Sequence, residues 1–142
     1  MTSPFAYGDR RVVVTGGASG VGAALLDRLA EAGATTVTVL DRAKPEGPHD
    51  QFIEVDLSEE AQVADAAAQI DGPIAALFNN AGVANTLPPD VVFAVNHLAI
   101  RKLNAALEDQ LAGGGAIVNT ASIAGMGWAN HLTEIQQLLA ID

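Results

Sequence analysis

The sequence predicts a doubly wound α/β domain, with a parallel sheet of strand order 3-2-1-4-5 covered by helices. Three observations carry that reading. Short β-branched or apolar runs alternate along the chain with stretches of helical period. The first run opens directly into Thr15-Gly16-Gly17-Ala18-Ser19-Gly20-Val21-Gly22 and then into an amphipathic stretch, which makes a strand, a Gly-rich turn and a helix. Right-handed crossovers then place strand four beside strand one, on the side away from strand two.

The elements follow in order. Residues 11–15 form strand one, with Val12, Val13 and Val14 expected to be buried from both faces, as parallel strands are. Residues 21–32 form the first helix, with Leu25, Leu26 and Leu29 inward and Gly33 closing it. Residues 35–40 form strand two. Residues 43–51 carry Pro45, Gly47 and Pro48, so a loop stands where a crossover helix would be usual. Residues 52–55 form strand three. Ser58 is the expected N-cap of the next helix, with Glu59 and Glu60 in its first turn, where the helix dipole favours acids. That helix is expected to reach about Ile70. Asp71-Gly72-Pro73 turns the chain into strand four at 74–78. Residues 86–90, with two prolines, start the next helix, 91–111 read as its long run ended by Gly113-Gly114-Gly115, and 116–120 as strand five. The tail, 131–141, reads as an amphipathic helix through Leu132, Ile135, Leu138 and Leu139.

The Gly-rich turn has the context that a dinucleotide-binding turn needs. Gly16 suits the tight turn, Gly20 lets a pyrophosphate approach the backbone, and Gly22 lets the helix pack close to the strand. Ser19 and Val21 sit among them at the helix start, whose N–H groups face the phosphates.

Ligands of such sheets bind beyond the carboxyl ends of the strands, and the other candidate residues stand at such ends. Asp41 ends strand two, about 20 residues after the glycines, where a carboxylate can accept both adenosine ribose hydroxyls. It would repel a 2′-phosphate, which favours NAD over NADP. Arg42 and Lys44 argue the other way, and Asp41 can equally begin a turn. Asp56, beside Leu57, can accept from an adenine amino group or support Ser58. Asn79-Asn80-Ala81-Gly82 can pass under a ribose or be a plain turn. Ser122 can donate to a substrate oxygen or be an ordinary loop serine. Asn96 lies inside a helix, a poor place for Asn, and can hold a water, bind backbone or face solvent.

The 142 residues suffice for one domain with a core, residues 1–142, and 49% are hydrophobic. A net charge of −10 argues against nucleic acid or an anionic membrane as partner. There is no cysteine, and His49, His97 and His131 lack ligand spacing, so no metal site is expected. No run has the length of a signal peptide or a bilayer span, which makes the cytoplasm the expected location.

Taken together, Thr15-Gly16-x-x-x-Gly20-x-Gly22, Asp41, Asp56-Leu57, Asn79-Asn80-Ala81-Gly82, Val95-Asn96-His97 and residues 117–125 resemble the short-chain dehydrogenase/reductase family, in the family's order. The resemblance implies a Rossmann fold, an NAD-type cofactor, and reversible hydride transfer with a small-molecule alcohol or ketone. It also implies a homo-oligomer. By it, Ser122 stabilises the substrate oxygen, Asn96 holds a water of the proton relay, and Asp56 and Asn80 contact adenine and ribose.

The family's catalytic Tyr and Lys have no counterpart where most members carry them. Glu134 and Ile135 stand there, and Tyr7 precedes strand one. The chain reads as a domain truncated after strand five and inactive by itself, either a fragment or a natural truncation; the tail favours a fragment, with Tyr and Lys expected beyond Asp142. The segment 126–141 resembles the start of an insertion found in bacterial 3α-hydroxysteroid dehydrogenase/carbonyl reductases, which makes a hydroxysteroid one expected substrate. An open fifth strand should then make the chain unstable or self-associating by itself.

Overall fold

The computed structural model describes Tyr7 and residues 9–140. The elements are β1 (Arg11–Thr15), α1 (Gly20–Glu31), β2 (Val37–Asp41), β3 (Gln51–Glu54), α2 (Glu60–Ala68), β4 (Ile74–Asn79), α3 (Pro89–Phe93), α4 (Ala99–Leu107), β5 (Leu111–Asn119) and α5 (Leu132–Leu139). The five strands form one sheet in the order β3-β2-β1-β4-β5, and every pairing is parallel. The expected strand order and the helixless crossover at 43–50 are therefore both present.

Two cores flank the sheet. On one face Val13, Leu40 and Leu77 pack with Val63, Ala66 and Ala67 of α2 and with Leu103 and Leu107 of α4. On the other, Val12, Val14, Val39 and Ala76 pack with Leu26 and Leu29 of α1. Val12, Val13 and Val14 are fully buried, as a β-branched run covered from both sides must be. α1 ends in a Schellman motif. Gly33, at φ +82°, donates its N–H to Ala30 O, and Ala34 donates to Leu29 O.

Several expectations are corrected. Ser58 does not cap α2: Glu59 holds that position, and the Ser58 hydroxyl and N–H both go to Asp56 Oδ1, at 2.7 and 2.9 Å. The nearby carboxylate outcompetes the helix N–H groups as a partner. The long helix is not one regular helix over 91–111. α3 begins at Pro89, a π-helical turn spans Ala94–Leu98, and α4 stops at Leu107 before a short 3₁₀ turn at Glu108–Gln110.

The three glycines do not end a helix; they lie inside β5. Ile74 pairs with Leu111 and Ala76 with Ala116, so residues 112–115 stand against Ala75 alone. This is an enlarged bulge, and Gly114 permits it at φ +84°. Sequence periodicity assigned Leu111 to the helix because a bulge hides the strand's period of two.

After β5 the chain takes a 3₁₀ course over Ile123–His131 into α5. α5 is the expected tail helix, ending at Leu139; Ile141 lies outside the described residues. Leu132, Leu138 and Leu139 are exposed. β5 is an edge strand that is bare on both faces. Ile117 pairs with Leu77 and Val118 with Phe78, on opposite faces of the sheet, and they are 36% and 42% exposed.

Candidate cofactor site

A cleft of about 430 Å³ opens at the carboxyl ends of the strands, where β1 and β4 lie side by side. Ten of the sequence-identified residues line it: Gly16, Ser19, Val21, Asp41, Arg42, Asp56, Leu57, Asn80, Ala81 and Gly82. Five strand ends and the start of α1 converge there because parallel strands present all their carboxyl ends on one side. Gly20, Gly22, Asn96 and Ser122 are not among the lining residues. Sequence reasoning missed Val55, Ser58, Val83 and Thr120, each next to or near a residue it named.

The turn is built by close backbone approach. Gly16 has φ +73°, and a Cβ there would lie 2.7 Å from Ala81 Cα. A Cβ on Gly22 would lie 1.9 Å from the Gly16 carbonyl oxygen. Gly20 differs: it has φ +54°, and a Cβ would meet nothing within 4 Å. That open space lies over the first turn of α1, whose N–H groups have no carbonyls within the helix to bond. Val21, 70% exposed, is an apolar side chain beside it.

β4 braces the turn from below. Thr15 Oγ1 accepts the N–H groups of Asn80 and Ala81, at 3.0 and 2.9 Å. Asn80 Nδ2 donates to the carbonyls of Thr15 and Gly16, at 3.3 and 3.2 Å. Thr120 Oγ1 donates to Asn80 Oδ1 at 3.4 Å. The Asn80 amide is thus bonded within the protein on both its N and its O.

On the other wall Asp41 accepts two backbone N–H groups, Ala18 through Oδ2 at 2.9 Å and Ala43 through Oδ1 at 3.2 Å. Asp56 accepts the two Ser58 donors, and Arg42 Nη1 stands 3.9 Å from its Oδ2. The Ser58 hydroxyl, then its N–H, hold the Asp56 carboxyl below the ordinary carboxylate range; burial opposes this, and Arg42 adds to it. Of the two roles open to Asp56, support of Ser58 is therefore present.

Asn96 sits in the π-helical turn. Its Oδ1 accepts the Val83 N–H at 2.8 Å, and its Nδ2 donates to the Val83 carbonyl at 2.9 Å. Both ends of the amide grip one residue of the loop after Gly82, which is the backbone-binding alternative. π turns in a helix often mark functional positions.

Asn79 is 1% exposed, and its Nδ2 donates to Asn104 Oδ1 and Asn119 Oδ1, both at 2.9 Å. Thr120 N–H donates to the Asn79 carbonyl at 3.0 Å. This cross-link of β4, β5 and α4 fixes the strand end from which Ser122 emerges. Ser122 is exposed, and its Oγ accepts the Ala124 N–H at 3.2 Å, which leaves the hydroxyl hydrogen for another acceptor.

Among the described residues, no group of three or more His, Cys, Asp or Glu is placed to hold a metal ion. Nor is any described helix long and apolar enough to cross a membrane.

Residues 10–133 match the profile of the family described as short chain dehydrogenase. The chain is 37% identical over 124 residues to a coniferyl-alcohol dehydrogenase from Pseudomonas sp. (strain HR199 / DSM 7063), covering 87% of this chain and 48% of that protein. It thus spans about half the length of that relative. An oxidoreductase of the short chain dehydrogenase/reductase family from Brucella ovis, solved in complex with a partially ordered NAD, superposes with a TM-score of 0.71 at 31% identity, over 84% of this chain and 66% of that one. A short chain dehydrogenase from Burkholderia cenocepacia J2315, in complex with NADP, superposes at 0.72 with 28% identity, over 83% and 57% of the two chains.

Proposed function

Because the chain belongs to the short chain dehydrogenase family, we propose that it forms the cofactor-binding part of an NAD-dependent oxidoreductase that interconverts an alcohol, a hydroxysteroid among the candidates, with its carbonyl compound. The observation that carries this reading is the cleft itself. It sets a fixed carboxylate, Asp41, at the end of β2 and an open glycine, Gly20, at the start of α1.

These residues suit a dinucleotide. The space over Gly20 and the first-turn N–H groups would hold the pyrophosphate. Asp41 would accept from the ribose hydroxyls, and its charge would oppose a 2′-phosphate. Asp56 Oδ2, with Oδ1 already on Ser58, would accept from the adenine amino group beside Leu57. Asn80, Ala81 and Gly82 would form the floor. Bound nicotinamide supplies hydride acceptance or donation.

Ser122 supplies the hydroxyl. With its oxygen accepting the Ala124 N–H, its hydrogen is available to donate to the oxygen of a carbonyl or alkoxide. Asn96 acts indirectly, by fixing Val83 and with it the loop that follows the floor. We further assign the protein to the cytoplasm and expect it to be a homo-oligomer.

A second reading is a dinucleotide-binding module without catalysis. It applies to these 142 residues taken alone, since residues 123–142 contain neither Tyr nor Lys after Ser122 to take up the substrate proton. Titration with NADH tests the cofactor site, and these 142 residues, which lack the Tyr/Lys pair, are expected to bind without turnover by themselves. An assay with NAD and a panel of cyclic alcohols on the product of the reading frame extended past Asp142 separates the two readings: turnover supports the oxidoreductase, and binding without turnover supports the module. A chain that binds neither NADH nor NAD overturns both.

A further inference from the structure

Two adjacent asparagines join the two sides of the site. Asn80 reaches the glycine turn, through the carbonyls of Thr15 and Gly16. Asn79 reaches the other way, to Asn119 at the end of β5 and to Asn104 on α4. Its own carbonyl takes the Thr120 N–H, and Thr120 lines the cleft two residues before Ser122. The strand end that carries Ser122 and the turn that would hold a pyrophosphate therefore hang on one dipeptide.

The donors fix the polarity of the amide cluster. Asn79 Nδ2 has two hydrogens and meets two oxygens, Asn104 Oδ1 and Asn119 Oδ1, both at 2.9 Å. Asn79 is 1% exposed, and its Oδ1 has no hydrogen-bond partner among the described residues. Reversing all three amides would satisfy that oxygen but orphan both hydrogens of a buried NH₂ group, the costlier arrangement. The Asn79 side chain is thus held by acceptors. Of the two, Asn119 is exposed on the bare edge strand. Asn104 is half-buried on α4, between Leu103 and Leu107, which pack into the core, so it is the rigid anchor. Asn is a poor residue for a helix interior, and this one ties the helix to the sheet.

We propose that Asn104 is a positioning residue for the reaction. By accepting from Asn79 it fixes the Thr120–Ser122 end of β5 against the cofactor cleft, which it does not itself line. The link to catalysis rests on the oxidoreductase reading above; the link to the strand end does not.

The test uses two variants. Asn104→Leu keeps the size and removes the acceptor, and Asn104→Asp keeps the acceptor and removes the donors. In the 142-residue chain, hydrogen exchange of the Thr120 amide follows the strand end, and that of Val13 in β1 follows global stability. In the product of the reading frame extended past Asp142, kcat and KM are measured with NAD and a cyclic alcohol. Asn104→Leu should speed Thr120 exchange about tenfold relative to Val13 and lower kcat about tenfold, with KM for NAD within about twofold. Asn104→Asp should bring both Thr120 exchange and kcat to within about threefold of the parent. An Asn104 that only fills space predicts the opposite ranking, since Leu packs there and a carboxylate does not.

Parental Thr120 exchange in Asn104→Leu overturns the proposal, and so does an Asn104→Asp no better than Asn104→Leu. An unchanged kcat in Asn104→Leu overturns the assignment to the reaction. If Asn104→Leu releases Val13 as well, Asn104→Asp decides alone: kept Thr120 protection supports the tie and lost protection overturns it. An extended parent without turnover overturns the oxidoreductase reading, and the exchange comparison still decides the tie of Asn104 to the strand end.

Discussion

Gly22 faces the carbonyl oxygen of Gly16 so closely that a Cβ on Gly22 would lie 1.9 Å from it. The same Cβ would lie 2.7 Å from Asn80 Nδ2, the atom that holds the Gly16 carbonyl from below. The turn, the helix and the end of β4 therefore meet at one point with no room for a methyl group.

Gly22→Ala should cost about 3 kcal/mol or more, the upper end of overpacking, because the obstructing atom is backbone and cannot turn aside. Gly20→Ala meets open space and carries only the strain of φ +54°, about 1–2 kcal/mol. Urea midpoints of the two variants should rank in that order at constant m-value.

The Asp56 carboxyl should titrate below exposed Asp side chains. Its pKa is lowered on folding, so its contribution to stability is complete above the unfolded value of ~3.9 and is lost as pH falls through the folded value. Ser58→Ala removes the largest cause and should move the Asp56 titration, followed by carbon-detected NMR, back up toward the ordinary range. An unmoved titration would assign the shift to Arg42.

Asn96→Ala removes both bonds to Val83 in an exposed setting, at a cost of about 1 kcal/mol each. The Val83 amide should lose its protection from exchange while β1 amides keep theirs. Asn96→Asp keeps the acceptor for the Val83 N–H but sets a carboxylate oxygen against the Val83 carbonyl, so it should restore only part of that protection.

The bare faces of β5 should make the isolated chain self-associate. Sedimentation velocity should show species heavier than one chain, increasing with concentration. Ile117→Lys and Val118→Lys place charge on the two uncovered faces and should shift the population toward monomer. A monomeric parent at high concentration would contradict this.

The strand order, the helixless crossover, the glycine turn and most of the cleft lining were legible in the sequence. Each is written in neighbouring residues. β-branched runs mark buried strands, prolines break the crossover, and a strand-turn-helix pattern locates the cleft. What stayed hidden depends on partners that no local window contains. Ser58 looked like a cap because a cap is a local pattern, yet Asp56 won its hydroxyl. Asn96 looked misplaced in its helix because its partner, Val83, lies 13 residues away. The glycines at 113–115 looked like a stop because a bulge has no period.

The sequence by itself determined the fold class and where its cleft would lie, since backbone periodicity and handed crossovers leave one arrangement for these elements. Only the tertiary structure decided which polar group each site residue faces. Asp41 meets Ala18, Asn80 meets Gly16, and Asn79 joins Asn104 to Asn119 across gaps of 23 to 64 residues. A hydrogen bond is settled by distance and angle after the chain has closed on itself, and neither quantity is encoded along the chain.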